Sequence, residues 1–409
     1  MEQFDIIIVG GGAAGFFTAI NAAENNPELK IMILERGKEV LTKVRVSGGG
    51  RCNVTHAEFI PSELVKRYPR GEKELRGPFH KFMTGDTIAW FESRGIELKT
   101  EEDGRMFPVS NSSQTIIDCF KSECTKLNIE VRKGQSLNTF HRNEGFWDVF
   151  TNKDSFRTKK LMLATGSNSK VWNLLKKIGH EIVPAVPSLF TFNIKDKRIE
   201  GLAGIASDAE AAIIDENLES SGPLLITHWG MSGPGILKLS AWGARQLNGL
   251  NYNFKIQVNW IPGSSFHEIL EEIKELKFSF SKQQVSTRPQ FELPKRLWQN
   301  IVSASKIKQE TKWADLNKDQ LKNLSKELTS AIFTVNGKST FKEEFVTAGG
   351  IDLKEVDFKT FESKLHKNLY FAGEILNIDA ITGGFNFQNA WTGGFLAAKA
   401  MGSNARSQN

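Results

Sequence analysis

The stretch Phe4-Asp5-Ile6-Ile7-Ile8-Val9-Gly10-Gly11-Gly12-Ala13-Ala14-Gly15 decides the fold. An apolar run from Phe4 to Val9 reads as a buried strand and breaks at a G-x-G-x-x-G pattern. A helix is predicted from Ala13 to about Asn25, and a second strand, Lys30 to Leu34, ends on Glu35. Strand, glycine turn, helix and an acid about twenty residues further on form the dinucleotide-binding fingerprint in its required context. Gly10 makes the tight turn, Gly12 lets backbone approach a pyrophosphate, and Gly15 lets the helix pack close. Ala13 and Ala14 open the helix, whose free N–H groups face phosphate charge. Glu35 can accept both ribose hydroxyls, so a dinucleotide with a free 2′-hydroxyl is expected here.

Outward from this stretch, composition sets the limits. A chain of 409 residues is too long for one ordinary core. Charged residues at 24% and hydrophobic ones at 40% describe a soluble globular protein. No apolar run approaches the ~20 residues that span a bilayer. Met1 leads straight into the first strand, which leaves no room for a signal peptide. Cys52, Cys119 and Cys124 are too scattered for a disulfide framework. A cytoplasmic protein is expected. The 53 basic residues are offset by 47 acidic ones, so the net charge of +6 reads as solvated surface rather than a nucleic-acid partner.

Three further stretches share the glycine signature. In Lys43-Val44-Arg45-Val46-Ser47-Gly48-Gly49-Gly50-Arg51-Cys52-Asn53 the three consecutive glycines are unsuited to regular helix or strand, and they permit positive φ and close approach to a flat or anionic group. The strand Lys160 to Ala164 breaks at Thr165-Gly166, a second backbone contact for the same ligand. The strand of residues 368–374 ends in Gly373-Glu374, and Gly383-Gly384 precede Phe385-Asn386-Phe387 and a closing helix, read as Trp391 to Met401. Between these lie a helical excursion (residues 56–105), a helix from Ser113 to Leu127, and strands at Ile129–Val131 and Trp147–Phe150. Strands are also expected at Leu189–Ile194, Asn253–Trp260, Ile332–Val335 and Phe345–Ile351. Helices are expected at Phe266–Leu276, Leu293–Ala304 and Asn317–Thr329, the last with a capping box from Asn317 and Gln320. An NAD domain is complete within one contiguous half. A cradle finished by the last forty residues suits the longer FAD.

Together with Thr227-His228-x-Gly230-x-Ser232-Gly233-Pro234 and Gly383-Gly384-Phe385-Asn386-Phe387-Gln388, these motifs resemble one family over essentially the whole chain. It is that of the bacterial BaiN/RdsA-type, or aminoacetone-oxidase-like, NAD(P)/FAD-dependent oxidoreductases. The resemblance implies an α/β fold: a glutathione-reductase-like FAD-binding Rossmann domain (1–192 and 342–409), an inserted β-barrel-like domain (193–262 and 330–341) and a helical subdomain (263–329). It implies FAD contacts at Gly10, Gly12, Ala13, Ala14, Gly15, Glu35, Arg36, Lys43, Ser47, Gly48, Gly49, Arg51, Cys52, Asn53, Thr165, Gly166, Gly373, Glu374, Gly384, Phe385, Asn386 and Phe387. One departure from the family pattern is Ser167-Asn168-Ser169-Lys170-Val171-Trp172, shorter than the usual Gly-Gly-x-Ser-Tyr-Pro stretch.

The flavin carries the chemistry in such a protein, so no nucleophilic triad is expected. Helix N–H groups near Asn386 are expected to stabilise reduced flavin. Cys52 has no partner cysteine nearby and reads as a packed thiol. Glu374 reads as a ribityl-hydroxyl acceptor. No His, Cys or carboxylate cluster has metal-ligand spacing. A second nucleotide fingerprint is missing, so NAD(P)H, as a transient donor, must share an open site. His228 and Ser232, on the glycine-rich Thr227–Gly235 loop, are the candidate substrate-side residues. The expected function is FAD-dependent oxidation or reduction of a small organic substrate, with NAD(P)H or oxygen as exchange partner. The alternatives are an RNA-modifying or nucleic-acid-binding flavoprotein, and a flavin-holding sensor or scaffold.

Overall fold

The computed structural model describes residues 1–339 and 346–403. Phe345 and the expected boundary at 341/342 lie outside the described residues. The described chain divides into two compact units, residues 1–186 with 346–403, and residues 187–339.

The first unit is built on a nine-stranded sheet. Its parallel centre runs in the order Leu369–Phe371, Ser155–Leu163, Glu2–Val9, Ile31–Glu35, Glu130–Lys133. Ile6, Ile7, Ile8, Met32, Ile33, Leu161 and Met162 are fully buried, as strands covered on both faces require. The helix Ala13–Asn25 lies where the fingerprint puts it, and Phe17 packs on Trp90 and Trp391. A hairpin, Leu137–Asn143 with Phe146–Thr151, is added antiparallel to Ser155–Leu163; its first strand has no counterpart in the sequence reading. The helix Ser169–Lys177, capped by Asn168, was also not foreseen. Val346–Ile351 pairs with Ile182–Ser188 in a separate two-stranded sheet rather than joining the central one.

Two local readings gain detail. Thr42–Val46 is helical, and the backbone leaves the helix at Ser47 and runs through Gly48, Gly49 and Gly50 at φ 58°, 67° and 84°, as three consecutive glycines permit. The closing helix begins at Phe385, directly after Gly384, and runs to Gly402.

The second unit is a seven-stranded antiparallel sheet with Thr191–Asn193, Ala206–Ile213, Leu218–Ile226, Asn253–Asn259 and Ala331–Asn336 among its strands. Helices Phe266–Ser279, Lys295–Ala304 and Lys318–Thr329 bury Ile273, Trp298 and Leu328 in the same hydrophobic core as the strand residues Phe192, Ile256 and Phe333. Asn317 and Gln320 form the expected capping box. Among the described residues no helix is long and apolar enough to cross a membrane.

Candidate cofactor and substrate site

In the first unit, segments far apart in sequence meet at the carboxyl ends of the parallel strands, where open α/β sheets bind ligands. Gly10, at φ +120°, leaves no room for a side chain: a Cβ there would lie 2.2 Å from the Ala164 carbonyl oxygen. A Cβ on Gly15 would lie 2.0 Å from the Gly10 carbonyl oxygen, so the helix touches the turn itself. Gly11, which the sequence did not single out, is closed too, with Glu35 Cβ 2.9 Å from its own would-be Cβ. Gly12 differs. A Cβ there would meet nothing within 4 Å, and its φ of −97° is ordinary. No contact within the described chain requires glycine there.

Glu35 accepts from the Gly11 N–H at 2.8 Å and the Gly37 N–H at 2.7 Å, which orients its carboxylate. Each oxygen keeps a lone pair for a hydroxyl. Arg36 is exposed. Lys43 forms an ion pair with Glu374 across the strand ends, and Glu374 lies beside Gly166. The glutamate expected to accept ribityl hydroxyls is thus already charge-balanced. Gly373 packs against Ala14, which joins the last strand to the first helix.

The glycine loop is fixed from outside. Arg51 stacks on Phe107 at 3.9 Å and pairs with Glu101, so its charge is spent on holding the loop. A Cβ on Gly48 would strike Phe107, whereas Gly49 faces open space. Ser47 hydroxyl bonds the Val44 carbonyl. Cys52 is fully buried at φ +62°, and burial pushes its thiol up to about 12. Cys119 and Cys124 are likewise free and buried, pushed up by desolvation to about 11 and about 12. None of the three is poised as a thiolate nucleophile.

Asn53 meets Gly384 from across the chain: its Oδ1 lies 2.8 Å from where a Gly384 Cβ would stand. The start of the closing helix is then pinned by residues that no sequence motif marks. His56 bonds the Gly383 carbonyl at 3.0 Å and lies against Phe385. Burial holds His56 below its ordinary value, against the pull of that carbonyl. Tyr68, fully buried, donates to the Phe385 carbonyl at 2.6 Å. Asn386 closes a small ring by bonding both the N–H and the carbonyl of Ala380. Phe387 stacks on Trp391 with rings 11° apart.

These residues fit FAD on three observations. The helices starting at Ala13 and Phe385 both lack a side-chain cap, leaving N–H groups for anionic oxygens. Thr165 Oγ1 and Asn53 Oδ1 are buried without a partner in the two middle stretches, and buried polar atoms in a folded protein are normally paired. Gly12 and Gly49 face open space.

In the second unit, His228 and Trp229 are exposed on the turn Thr227–Gly230, which Thr227 Oγ1 holds by accepting from the N–H groups of Trp229 and Gly230. Ser232 is the N-cap residue of helix Gly233–Trp242 but makes no cap bond; it accepts instead from Thr191 Oγ1 at 2.9 Å. His228 and Thr227 line a cleft of about 580 Å³ with Lys195, Lys197, Glu200 and Arg296, and Ser232 is not part of it. The loop glycines, expected to admit a ligand, serve the chain itself: a Cβ on Gly230 would lie 2.2 Å from the Phe192 carbonyl oxygen, and one on Gly233 would lie 2.7 Å from Leu225 N.

The model of the HI0933-like protein Rossmann domain family matches residues 4–400. The chain belongs to this family. Its HI0933-like relatives include the ribosomal RNA dihydrouridine synthase of Haemophilus influenzae, 29% identical over 98% of this chain and 99% of the relative. The 3-dehydro-bile acid delta(4,6)-reductase of Clostridium scindens is 26% identical over 96% and 98%. Among solved structures, the fold is similar to 3-ketosteroid-delta4-(5alpha)-dehydrogenase from Rhodococcus jostii RHA1, with a TM-score of 0.53 at 10% identity over 98% of this chain and 97% of that one. This HI0933-like chain is an FAD-dependent oxidoreductase.

Proposed function

We propose that the enzyme reduces a carbon–carbon double bond conjugated to a carbonyl in a small organic substrate, with NAD(P)H as the transient electron source. The observation that carries the reading is the cradle: two uncapped helix starts and two unpartnered buried polar atoms around open glycine positions. The relatives supply the bond class. A dihydrouridine synthase and a delta(4,6)-reductase are both named for saturating a C=C bond, and in uracil and a 3-oxo-4-ene that bond is conjugated to a carbonyl.

FAD, when bound, supplies two-electron hydride chemistry. The chain's residues do the rest. Gly12 and the first turn after it receive the pyrophosphate, and Glu35 orders the ribose. The N–H groups opening at Phe385 stabilise negative charge. Saturating the bond also consumes a proton, for which the exposed His228 is the candidate donor. Ser232 can donate its own hydroxyl hydrogen to a carbonyl. Three free thiols suit a reducing compartment such as the cytoplasm.

The test is anaerobic. NADPH or NADH should bleach the yellow protein, and an enone should restore the colour with stoichiometric saturated product. Bleaching by neither nucleotide, or recolouring by oxygen alone, would overturn the proposal.

A second reading applies the same chemistry to uridine in RNA. It is favoured by the names of two relatives and by exposed Trp229, 55% accessible, next to a cleft carrying Lys195, Lys197 and Arg296. Exposed aromatics among cations are what single strands stack on. Dihydrouridine formed in RNA, with no turnover of free enones, would select this reading.

A further inference from the structure

Arg70 and Asp379 are 309 residues apart, yet they form a bidentate ion pair, Nε to Oδ1 and Nη2 to Oδ2. The Asp379 side chain is fully buried and that of Arg70 is 13% exposed. Their backbones form an antiparallel bridge. The contact continues on both sides. The Ile381 N–H donates to the Arg67 carbonyl at 3.0 Å, and a Cβ on Gly71 would lie 2.8 Å from Ile378. Tyr68 reaches on to Phe385. Residues 67–71 therefore hold the whole run from Ile378 to the first turn of the closing helix.

A buried pair of charges is a costly way to hold two segments together, because apolar side chains of similar volume often do so as well or better. The charge itself needs a reason. Asp379 stands six residues before Phe385, where the helix presents its positive end. An uncompensated carboxylate there would oppose any negative charge that the helix start receives. The helix start is left open to a ligand: no side chain caps it, and Asn53, 8% exposed, leaves its Oδ1 unpartnered at Gly384.

We propose that Arg70 is a positioning residue for the reduced cofactor. It fixes the 378–385 run and cancels the Asp379 charge, so that the N–H groups at Phe385 act on the reduced, anionic flavin undiminished. This rests on FAD lying at that helix start.

The readout is the midpoint potential of bound FAD in the holoenzyme, measured for Asp379→Asn, Arg70→Met, Arg70→Lys and the double variant Arg70→Met/Asp379→Asn. Asp379→Asn leaves a surplus positive charge and should favour the reduced state about tenfold, ~30 mV upward for a two-electron couple. Arg70→Met leaves a surplus negative charge and should shift the potential downward by a similar factor. The double variant should return near the wild-type value, and Arg70→Lys should restore most of it. A purely structural staple would move both single variants in the same direction, or neither, and either result overturns the proposal. Should Arg70→Met fail to fold, the upward shift in Asp379→Asn still decides: its absence refutes the role. A protein that binds no flavin at all refutes the cofactor reading instead, so the two failures are distinguishable.

Discussion

Two glycine-rich turns, one in each unit, use their glycines differently. In Gly10–Gly15 the first and last glycines are closed against backbone, at 2.2 and 2.0 Å from a would-be Cβ, while Gly12 between them is open. In Thr227–Gly235 both Gly230 and Gly233 are closed, at 2.2 and 2.7 Å, and Gly235 is tight at 3.2 Å. The first turn keeps one face open. The second spends its glycines on its own strands, so any substrate role there falls to the side chains of His228 and Ser232. A glycine motif in sequence does not separate these cases, because folding and binding ask for the same residue.

The largest expected effects break the symmetry between closed and open positions. Gly10→Ala and Gly230→Ala each force a side chain into backbone at φ +120° and +147°, and each should cost more than about 4 kcal/mol. Chemical denaturation would read this as loss of a cooperative transition. Gly12→Val should instead fold within about 1 kcal/mol of the parent and lose FAD affinity by at least about a hundredfold, ~2.7 kcal/mol. Flavin retained after desalting would show that the open face is not the pyrophosphate site. Smaller again is His228→Ala, for which turnover should fall about a hundredfold, the lower range for a lost general acid, with unchanged thermal stability because the side chain is exposed. Ser232→Ala should cost only a few-fold, about the worth of one neutral hydrogen bond. The smallest effect belongs to Cys52→Ala: with the thiol held near 12 by burial, turnover should stay within about twofold, and native Cys52 should resist alkylation.

How much of this was legible in sequence depends on the distance over which each cause acts. The strand-turn-helix at the start is local chemistry, and its helix lies at Ala13–Asn25 as read. The capping box at Asn317 is local too. Ala206–Ile213 escaped because its inward residues include Ala209 and Ala211, which carry little hydrophobic signal. Leu218–Ile226 contains Gly222 and Pro223, residues that argue against a strand. Arg70 and Asp379 could not be paired from sequence, since nothing local distinguishes either from a surface charge, and Lys43 and Glu374, both marked by the resemblance, carried no sign of facing each other. Arg51 was legible as important but not in its role, because Phe107 and Glu101 claim its guanidinium from a later part of the chain.

The helix Ala13–Asn25 packs directly on the closing helix, with Gly394 against Thr18 and the Ala14 carbonyl. On a ribosome adding about 5–20 residues per second, some 20–70 s separate the emergence of these two surfaces. During that interval the fingerprint lacks its lid, and its apolar helix is covered only on the side that meets Trp90 and Phe120. Nascent chains are thus vulnerable in proportion to translation time. Supplying flavin early would not shorten that interval, whereas faster elongation through the middle of the message would.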